Sequence, residues 1–283
     1  MESILKNRMT AIPSIKSPAR FQVQELDSRE WWGYTLRHLR ILHPRAVTHN
    51  PALDQSLANY DVYLAYPPRA GNIPVVLSLQ GIGAPIQYSF FQIKPVLDMG
   101  IAWVGLDAPF GGSRSITGGK PVALAHIQQR LKLAGVRSFD YGIYFDLVVQ
   151  DLHNLIERVL PRYGQIDPTQ IGLIGISFGV MLASYAFINQ LLGHRLVGLI
   201  GHGNIFHLGA RNPLYRAHEV QFPRRYHLML GEDDPFISKE LAQQLVDRMP
   251  AGSLEIAPGV THGGGRFDDA SIQVIQHQFE DWV

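Results

Sequence analysis

The chain has 283 residues, of which 46% are hydrophobic and 17% charged, and its formal net charge is +1 at pH 7. This length and composition are typical of one large α/β domain, or of two small ones, with a substantial buried core. A net charge near zero gives no field to gather nucleic acid or an anionic membrane, so neither is an expected partner. The absence of cysteine excludes disulfides, Cys-ligated zinc and thiol catalysis.

The first 60 residues carry the weakest structural signals, and we predict that they form an N-terminal extension packed on a domain of residues 61–283. The opening segment, "MESILKNRMTAIPSIKSPARF", has no continuous apolar stretch. We therefore expect no secretory signal and a cytoplasmic location. The stretch "SREWWGYTLRHLRIL" begins at Ser28, a residue type that caps helices, and predicts a helix. The next stretch, "NYDVYLAYPP", alternates and predicts a strand that stops at two prolines.

Six short apolar runs follow, and runs of this kind are typical of strands covered on both faces. They are "IPVVLSLQ" (73–80), "IAWVGLDA" (101–108), "QIGLIGIS" (170–177), "LVGLIGHG" (196–203), "YHLMLGE" (226–232) and "LEIAP" (254–258).

Segments with helical periodicity separate these runs. They are 144–159, 178–192, 238–249 (with Ser238 in the N-cap position) and 268–283. Because strands and helices alternate, we predict a mostly parallel sheet with helices on both faces. Two connections, 109–137 and 204–225, are longer than such a fold requires. Each follows a predicted strand, so we predict that they are cap segments that cover or shape a site.

Residues 171–192 carry no charge and approach the length of a membrane span. Glycine, serine, asparagine and glutamine interrupt the stretch, however. A buried strand, a turn and a buried helix in series explain it better than a bilayer does, so no membrane is expected as a partner.

The main chemical motif is Gly175-Ile176-Ser177-Phe178-Gly179, which matches G-x-S-x-G between a predicted strand and a predicted helix. A serine on such a tight turn is held in a strained backbone conformation, and glycines two residues away on each side permit the close approach. The hydroxyl then lies at the N-terminus of the following helix, whose dipole favours negative charge. We therefore predict that Ser177 is a nucleophile.

A serine nucleophile needs a base, and that base needs an acid to orient it. The motif "THGGGRF", which contains His262, has two interpretations. H-G-G-G forms the oxyanion hole of some esterases, but it then precedes the nucleophile. His262 follows the nucleophile and comes after the last predicted strand, so its position favours the catalytic base. The loop after the preceding strand supplies the acid, for which Asp234 and its neighbour Asp233 are candidates.

The chain resembles the α/β-hydrolase superfamily of serine hydrolases from about Tyr60 to the C-terminus. "IDPTQIGLIGISFG" is similar to the nucleophile region of its dienelactone hydrolase and prolyl oligopeptidase branches. "LMLGEDDPF" resembles the acid loop of the superfamily, in which aspartate stands three residues after glycine. The resemblance implies that the acid is Asp234. It also implies the chain order of serine, acid and histidine found here.

An oxyanion hole is expected upstream, in "VVLSLQGIGAP", with the backbone N–H groups of Ile82 and Phe178 as donors. The superfamily usually has histidine where this chain has Gln80, so we expect the glutamine amide to brace the loop instead. The same stretch contains G-x-G after a strand, as a dinucleotide site does. Asp107 stands near the place of that motif's acid. Ile86 replaces its third glycine, however, Pro85 lies inside the turn, and a complete triad is predicted elsewhere, so the dinucleotide hypothesis is weak.

The predicted reaction is hydrolysis of a carboxylic ester through an acyl-enzyme, and the expected partner is a small ester. Acyl transfer, peptidase or lactonase chemistry, and a non-catalytic binding role remain alternatives. Phe110, Phe206 and Phe236 are predicted to line an apolar substrate pocket. Arg114 and Arg211 are expected on the solvated surface. No His-x-x-x-His spacing occurs, so neither a metal nor a cofactor is expected.

Overall fold

The computed structural model describes residues 21–43, 54, 57–68, 71–115, 141–221 and 223–282. Parts of the predicted N-terminal extension, and residues 116–137 of the first predicted cap segment, lie outside the described residues.

The described strands form one nine-stranded sheet in the order β1-β2-β3-β5-β4-β6-β7-β8-β9. The strands from β4 onward pair in parallel, whereas β1, β2 and β3 pair antiparallel and β3 joins the parallel part by pairing antiparallel with β5. The fold class predicted from the sequence is confirmed. The strands are β1 Gln22–Trp31, β2 Tyr34–Leu42, β3 Asn59–Tyr66, β4 Ile73–Leu79, β5 Ala102–Leu106, β6 Ile166–Ile176, β7 Arg195–Leu199, β8 Arg225–Gly231 and β9 Gly252–Ala257.

The helix predicted from Ser28 is wrong, because this stretch forms the hairpin of β1 and β2. The turn between them has positive φ at Trp32 (53°) and at Gly33 (78°), as two-residue hairpin turns require. Aromatic and β-branched residues on both sides favour strands. The apolar spacing that suggested a helix reflects a strand whose buried positions, Leu36 and Leu39, are three residues apart.

The described helices pack on both faces of the sheet. They are α1 Ile93–Asp98, α2 Tyr141–Asn154, α3 Phe178–Ser184, α4 Lys239–Val246 and α5 Phe267–Phe279. Helices α2 and α3 continue as π-helical turns, Leu155–Val159 and Tyr185–Asn189. Ser238 caps α4 as predicted, since its Oγ accepts a hydrogen bond from the Leu241 N–H at 3.2 Å.

Two apolar cores result, one on each face of the sheet. Residues of α2, α3 and α4, such as Leu152, Val180 and Leu245, belong to the larger core. Residues of α1 and α5, such as Val96 and Ile275, belong to the other. The uncharged stretch 171–192 is divided between a buried strand, a turn and a buried helix, as predicted. Among the described residues, no helix has the length and apolar character needed to cross a bilayer.

The second predicted cap segment, 204–225, follows β7 and consists largely of short 3-10 turns. The Asn212 side chain ties this segment together. Its Oδ1 accepts hydrogen bonds from the backbone N–H groups of Ile205 (2.8 Å) and Leu214 (3.2 Å), and its Nδ2 donates to Asn204 Oδ1 (2.8 Å). These contacts fix the start of the segment beside the carboxyl end of the sheet, where sites form in parallel sheets.

Candidate active site

Ser177 occupies the turn between β6 and α3, with φ 53° and ψ −119°. Positive φ is costly for a non-glycine residue and persists only where the surroundings enforce it. Here the flanking glycines make the turn possible. A Cβ on Gly179 would lie 2.1 Å from the Leu79 carbonyl oxygen, and one on Gly175 would lie 2.6 Å from the carbonyl oxygen of Gly179. The strand and the helix therefore approach so closely that only glycine fits.

His262 lies directly beside this serine. Its Nε2 is 2.9 Å from Ser177 Oγ, although the two residues come from loops on different strands. The loop after β9 turns sharply through Gly263 and Gly265, whose φ angles are 78° and 64°. The Thr261 N–H closes the turn by donating to the Gly264 carbonyl at 3.3 Å. The three glycines therefore shape the loop that carries the histidine.

Asp234 completes a chain of hydrogen bonds, because its Oδ2 lies 2.8 Å from His262 Nδ1. Its Oδ1 accepts a hydrogen bond from the backbone N–H of Phe236 at 2.8 Å. The Asp234 side chain is 1% exposed, whereas the His262 side chain is 25% exposed. A carboxylate on Nδ1 favours the tautomer in which Nδ1 carries the proton and Nε2 can accept one. Asp233, the reserve candidate, is exposed.

The predicted oxyanion loop passes on the other side of the serine. A Cβ on Gly81 would lie 3.4 Å from the Ser177 Cβ, so the loop and Ser177 are adjacent. Phe178 is the first residue of α3, where a backbone N–H has no partner inside the helix. Gln80 braces the loop through its amide. Its Oε1 accepts from the Gly81 N–H at 2.8 Å, and its Nε2 donates to Ser89 Oγ at 2.9 Å.

Asp107 holds the end of the same loop by hydrogen bonds. Its Oδ1 accepts from the Ile86 N–H at 2.9 Å, and its Oδ2 accepts from the Ser113 N–H at 2.7 Å. Burial raises the pKa of Asp107 above the usual carboxyl range, and the two backbone hydrogen bonds oppose that rise. Both carboxylate oxygens are thus occupied by backbone groups, which leaves no support for the dinucleotide hypothesis.

Arg114 is fully buried, so the expectation of a solvated surface residue is wrong. Its Nη1 lies 2.6 Å from Asp151 Oδ2 on α2, and its Nη2 donates to the Leu57 carbonyl at 2.6 Å. The guanidinium also lies over the Tyr60 ring, 4.8 Å from the ring centroid. This ion pair joins the turn after β5 to the core. This pair could not be predicted from the sequence, because its partners are far apart in the chain.

Arg211 lies at the surface, as expected, and its side chain, 43% exposed, also has protein partners. Its guanidinium donates to Asp146 on α2 and to the Tyr185 hydroxyl, and it lies over the Tyr185 ring. These contacts join the second predicted cap segment to helix α2.

No family model matches the sequence, and no curated protein matches it either. Solved structures do match. A cold-adapted esterase from an Arctic intertidal metagenomic library superposes with a TM-score of 0.62 at 13% identity, over 92% of this chain and 99% of that one. Acetyl xylan esterase 1 from Thermoanaerobacterium has a TM-score of 0.65 at 13% identity, over 92% of this chain and 89% of that one. Dienelactone hydrolase from Anabaena variabilis has a TM-score of 0.54 at 14% identity, over 92% of this chain and 98% of that one.

The chain has the α/β-hydrolase fold. In this fold the nucleophile, the acid and the histidine follow one another in the chain, each in a loop after a strand. The order of Ser177, Asp234 and His262 agrees with that arrangement. At 12–14% identity the likeness establishes the fold alone, and the chemistry has to be argued from this chain's own residues.

A cavity of about 360 Å³ opens at Phe178, the residue after Ser177. Of the three predicted pocket residues, Phe206 and Phe236 line it, whereas Phe110 is fully buried and stacks on Tyr144 at 5.8 Å. Sequence reasoning missed several lining residues whose side chains face the cavity only in the folded chain. The described lining residues are Phe145, Phe178, Met181, His202, Asn204, Ile205, Phe206, His207, Phe236, Ser238 and Leu241.

The described residues contain no group of three or more histidines, aspartates or glutamates that could hold a metal ion.

Proposed function

We propose that the protein is a serine hydrolase that cleaves a carboxylic ester, with Ser177 as nucleophile, His262 as general base and Asp234 as the acid that orients it. One observation carries this proposal. A hydroxyl, an imidazole and a buried carboxylate are linked by two hydrogen bonds of 2.9 and 2.8 Å. Each distance lies within the reach that proton transfer needs.

In the first half of the reaction, Ser177 Oγ attacks the ester carbonyl carbon while His262 Nε2 takes the hydroxyl proton. Asp234 keeps the proton of the imidazole on Nδ1 and stabilises the imidazolium that forms. The carbonyl oxygen becomes an oxyanion, which the backbone N–H groups of Ile82 and Phe178 receive. The imidazolium then gives its proton to the departing alkoxide, and the alcohol leaves an acyl-enzyme behind.

In the second half, water takes the place of the alcohol. His262 removes a proton from that water, the hydroxide attacks the acyl carbon, and the same two N–H groups receive the second oxyanion. Collapse of this intermediate returns the proton to Ser177 Oγ and releases the carboxylic acid. The positive end of α3, which begins at Phe178, favours the negative charge in both steps.

The similar solved structures support the same chemistry. They are an esterase, an acetyl xylan esterase and a dienelactone hydrolase, all of which act on ester or lactone bonds. Ester hydrolysis also makes fewer demands on the described residues than transfer to a second bound substrate would.

Labelling with a fluorophosphonate probe tests the proposal, with the adduct mapped by mass spectrometry. We expect labelling at Ser177 that is absent from Ser177→Ala and strongly slowed in His262→Ala. His277→Ala, which changes an exposed histidine on α5, is the matched control and should label normally. Hydrolysis of p-nitrophenyl acetate should follow the same order. Adding methanol as acceptor and analysing the products separates hydrolysis from acyl transfer. A folded protein that neither labels nor hydrolyses would refute the assignment.

A further inference from the structure

The wall of the cavity beside Ser177 is apolar and carries no fixed charge. Seven of the described lining residues are aromatic or aliphatic, and none is lysine, arginine, aspartate or glutamate. Two of the aromatic residues, Phe206 and Phe236, are 61% and 76% exposed. Exposed aromatic rings at such a cavity are unusual unless something apolar covers them, because their hydration is unfavourable.

The most buried ionisable group of this wall is also uncharged at neutral pH. His202 is 6% exposed, and burial lowers the pKa of its imidazole, although a backbone hydrogen bond at Asn204 opposes that shift. A charged substrate group would lose its hydration here without meeting an opposite charge, and this desolvation is costly.

The cavity begins at the nucleophile's own helix. Phe178, directly after Ser177, and Met181, one turn further along α3, both line it. Residues 81–86 of the predicted oxyanion loop are not among the described lining residues, and neither Ser177 nor His262 is. Phe236, on the other wall, packs edge-on against the His262 ring, with centroids 5.3 Å apart. A tetrahedral carbon on Ser177 Oγ has three other substituents. One is the oxyanion beside the loop, one is the leaving oxygen that His262 must protonate, and the third is the acyl chain.

We propose that this cavity is the acyl site and that the enzyme prefers esters of medium-length, uncharged acyl chains over acetate esters. The inference rests on the proposed function, since it assumes that Ser177 is acylated. The acyl chain stays attached to Ser177 through both steps, so a cavity whose wall begins at Phe178, directly after Ser177, fits this substituent. At ~30 Å³ for each water-sized unit, the cavity holds about a dozen units. An acetyl group fills little of it, whereas a chain of about six to eight carbons fills most of it.

A series of p-nitrophenyl esters tests chain length with a constant leaving group. We expect kcat/KM to rise about fourfold for each added CH₂ from acetate to hexanoate, and to level off near octanoate. The monoester of adipic acid, which ends in a carboxylate, should react about a hundredfold more slowly than hexanoate. A second series, from ethyl acetate to octyl acetate, varies the alcohol instead and should give little change.

Three variants connect the preference to the cavity. Phe206→Ala removes part of the wall and should reduce the ratio of hexanoate to acetate about fivefold. Tyr215→Ala is the matched control, because Tyr215 is an exposed aromatic residue on the same segment but not a described lining residue. It should leave the ratio unchanged. Met181→Trp fills the cavity, so it should lower kcat/KM for octanoate at least about tenfold more than for acetate and thereby abolish the octanoate preference.

The experiments distinguish failure of the acyl-site proposal from failure of the proposed serine hydrolase function. Turnover of every ester at similar rates, or a preference that follows the alcohol, would overturn the acyl site while the triad stands. Binding of octanamide and acetamide to Ser177→Ala, followed by NMR, examines the cavity without turnover. Tighter binding of octanamide that Phe206→Ala weakens would support the cavity even if fluorophosphonate labelling failed. Equal binding of both amides would overturn it.

Discussion

The two sides of Ser177 are held in different ways. On one side, His262 and Asp234 lie on loops after the last two strands, and the two side-chain hydrogen bonds that link them to the serine form the site. On the other side, the predicted oxyanion loop rests on the buried side chains of Gln80 and Asp107. In the proposed mechanism the first side performs chemistry and supports little of the structure, whereas the second side does both. Substitutions on the two sides should therefore fail differently.

The largest effect is expected on the histidine side, without loss of folding. Asp234→Asn should lower kcat about 10⁴-fold, because an amide facing Nδ1 favours the wrong imidazole tautomer. The melting temperature should change little. Asp233→Asn, the exposed neighbour, is the control and should retain full activity. Steady-state kinetics measure kcat, and thermal unfolding measures the melting temperature, for both variants. A large drop in melting temperature for Asp234→Asn would mean that this side also carries structure.

The next effect is on the free energy of unfolding and concerns the buried ion pair of Arg114 and Asp151. Asp151→Asn leaves the fully buried Arg114 without its carboxylate and should lower the free energy of unfolding by about 3–5 kcal/mol. Asp146→Asn breaks the more exposed pair with Arg211 on the same helix and should cost about 1 kcal/mol or less. Urea unfolding compares the two variants. Similar losses from both would show that burial of the first pair does not matter.

A smaller effect on catalysis is expected from the brace itself. Gln80→Ala removes the acceptor of the Gly81 N–H and the donor to Ser89, so the loop should lose its fixed position. We expect kcat to fall about tenfold with KM within about twofold, since the oxyanion exists only in the transition state. Gln80→His should restore part of the loss. An increase in KM at constant kcat would instead indicate a role in binding substrate.

The last effect concerns the pH dependence of stability and leaves catalysis unchanged. Burial lowers the pKa of His227, on β8, from 6.5 to about 4. As the pH falls from about 6.5, the unfolded chain takes up a proton that the folded protein excludes, so stability is lost until about pH 4. His227→Gln should remove this part of the slope and leave kcat unchanged. Melting temperatures across this range measure it, and equal slopes in both proteins would contradict the prediction.

The parallel part of the fold could be predicted because its strands are buried on both faces and therefore appear as apolar runs. Runs such as 73–80 and 170–177 need no knowledge of their partners. The hairpin of β1 and β2 could not be predicted in this way. Strand β1 is exposed along almost its whole length, so its pattern does not record which face meets the core. Its identity depends on the turn at Trp32, whose positive φ is unusual for tryptophan.

The candidate site divides in the same way. Ser177, Asp234 and His262 could be proposed from the sequence because each follows a strand, and the ends of parallel strands meet at one edge. The supporting residues depend on pairs that only the folded chain forms. Arg114 meets Asp151 on α2, and Phe110 turns into the core rather than toward the cavity. Which partner such a side chain contacts depends on segments that are far away in the sequence and meet only in the folded chain.

Strand β4 has a consequence for how the molecule assembles. All seven of its residues are buried, yet both of its neighbours in the sheet come later in the chain. Val75 pairs with Ala102 on one side and with Ile171 on the other. The hairpin of β1 and β2 can close locally, but β4 must remain unpaired on one edge until β6 exists, and such long-range closure is slow. A ribosome-bound chain therefore exposes an apolar strand edge through much of its synthesis, the interval in which aggregation competes with folding.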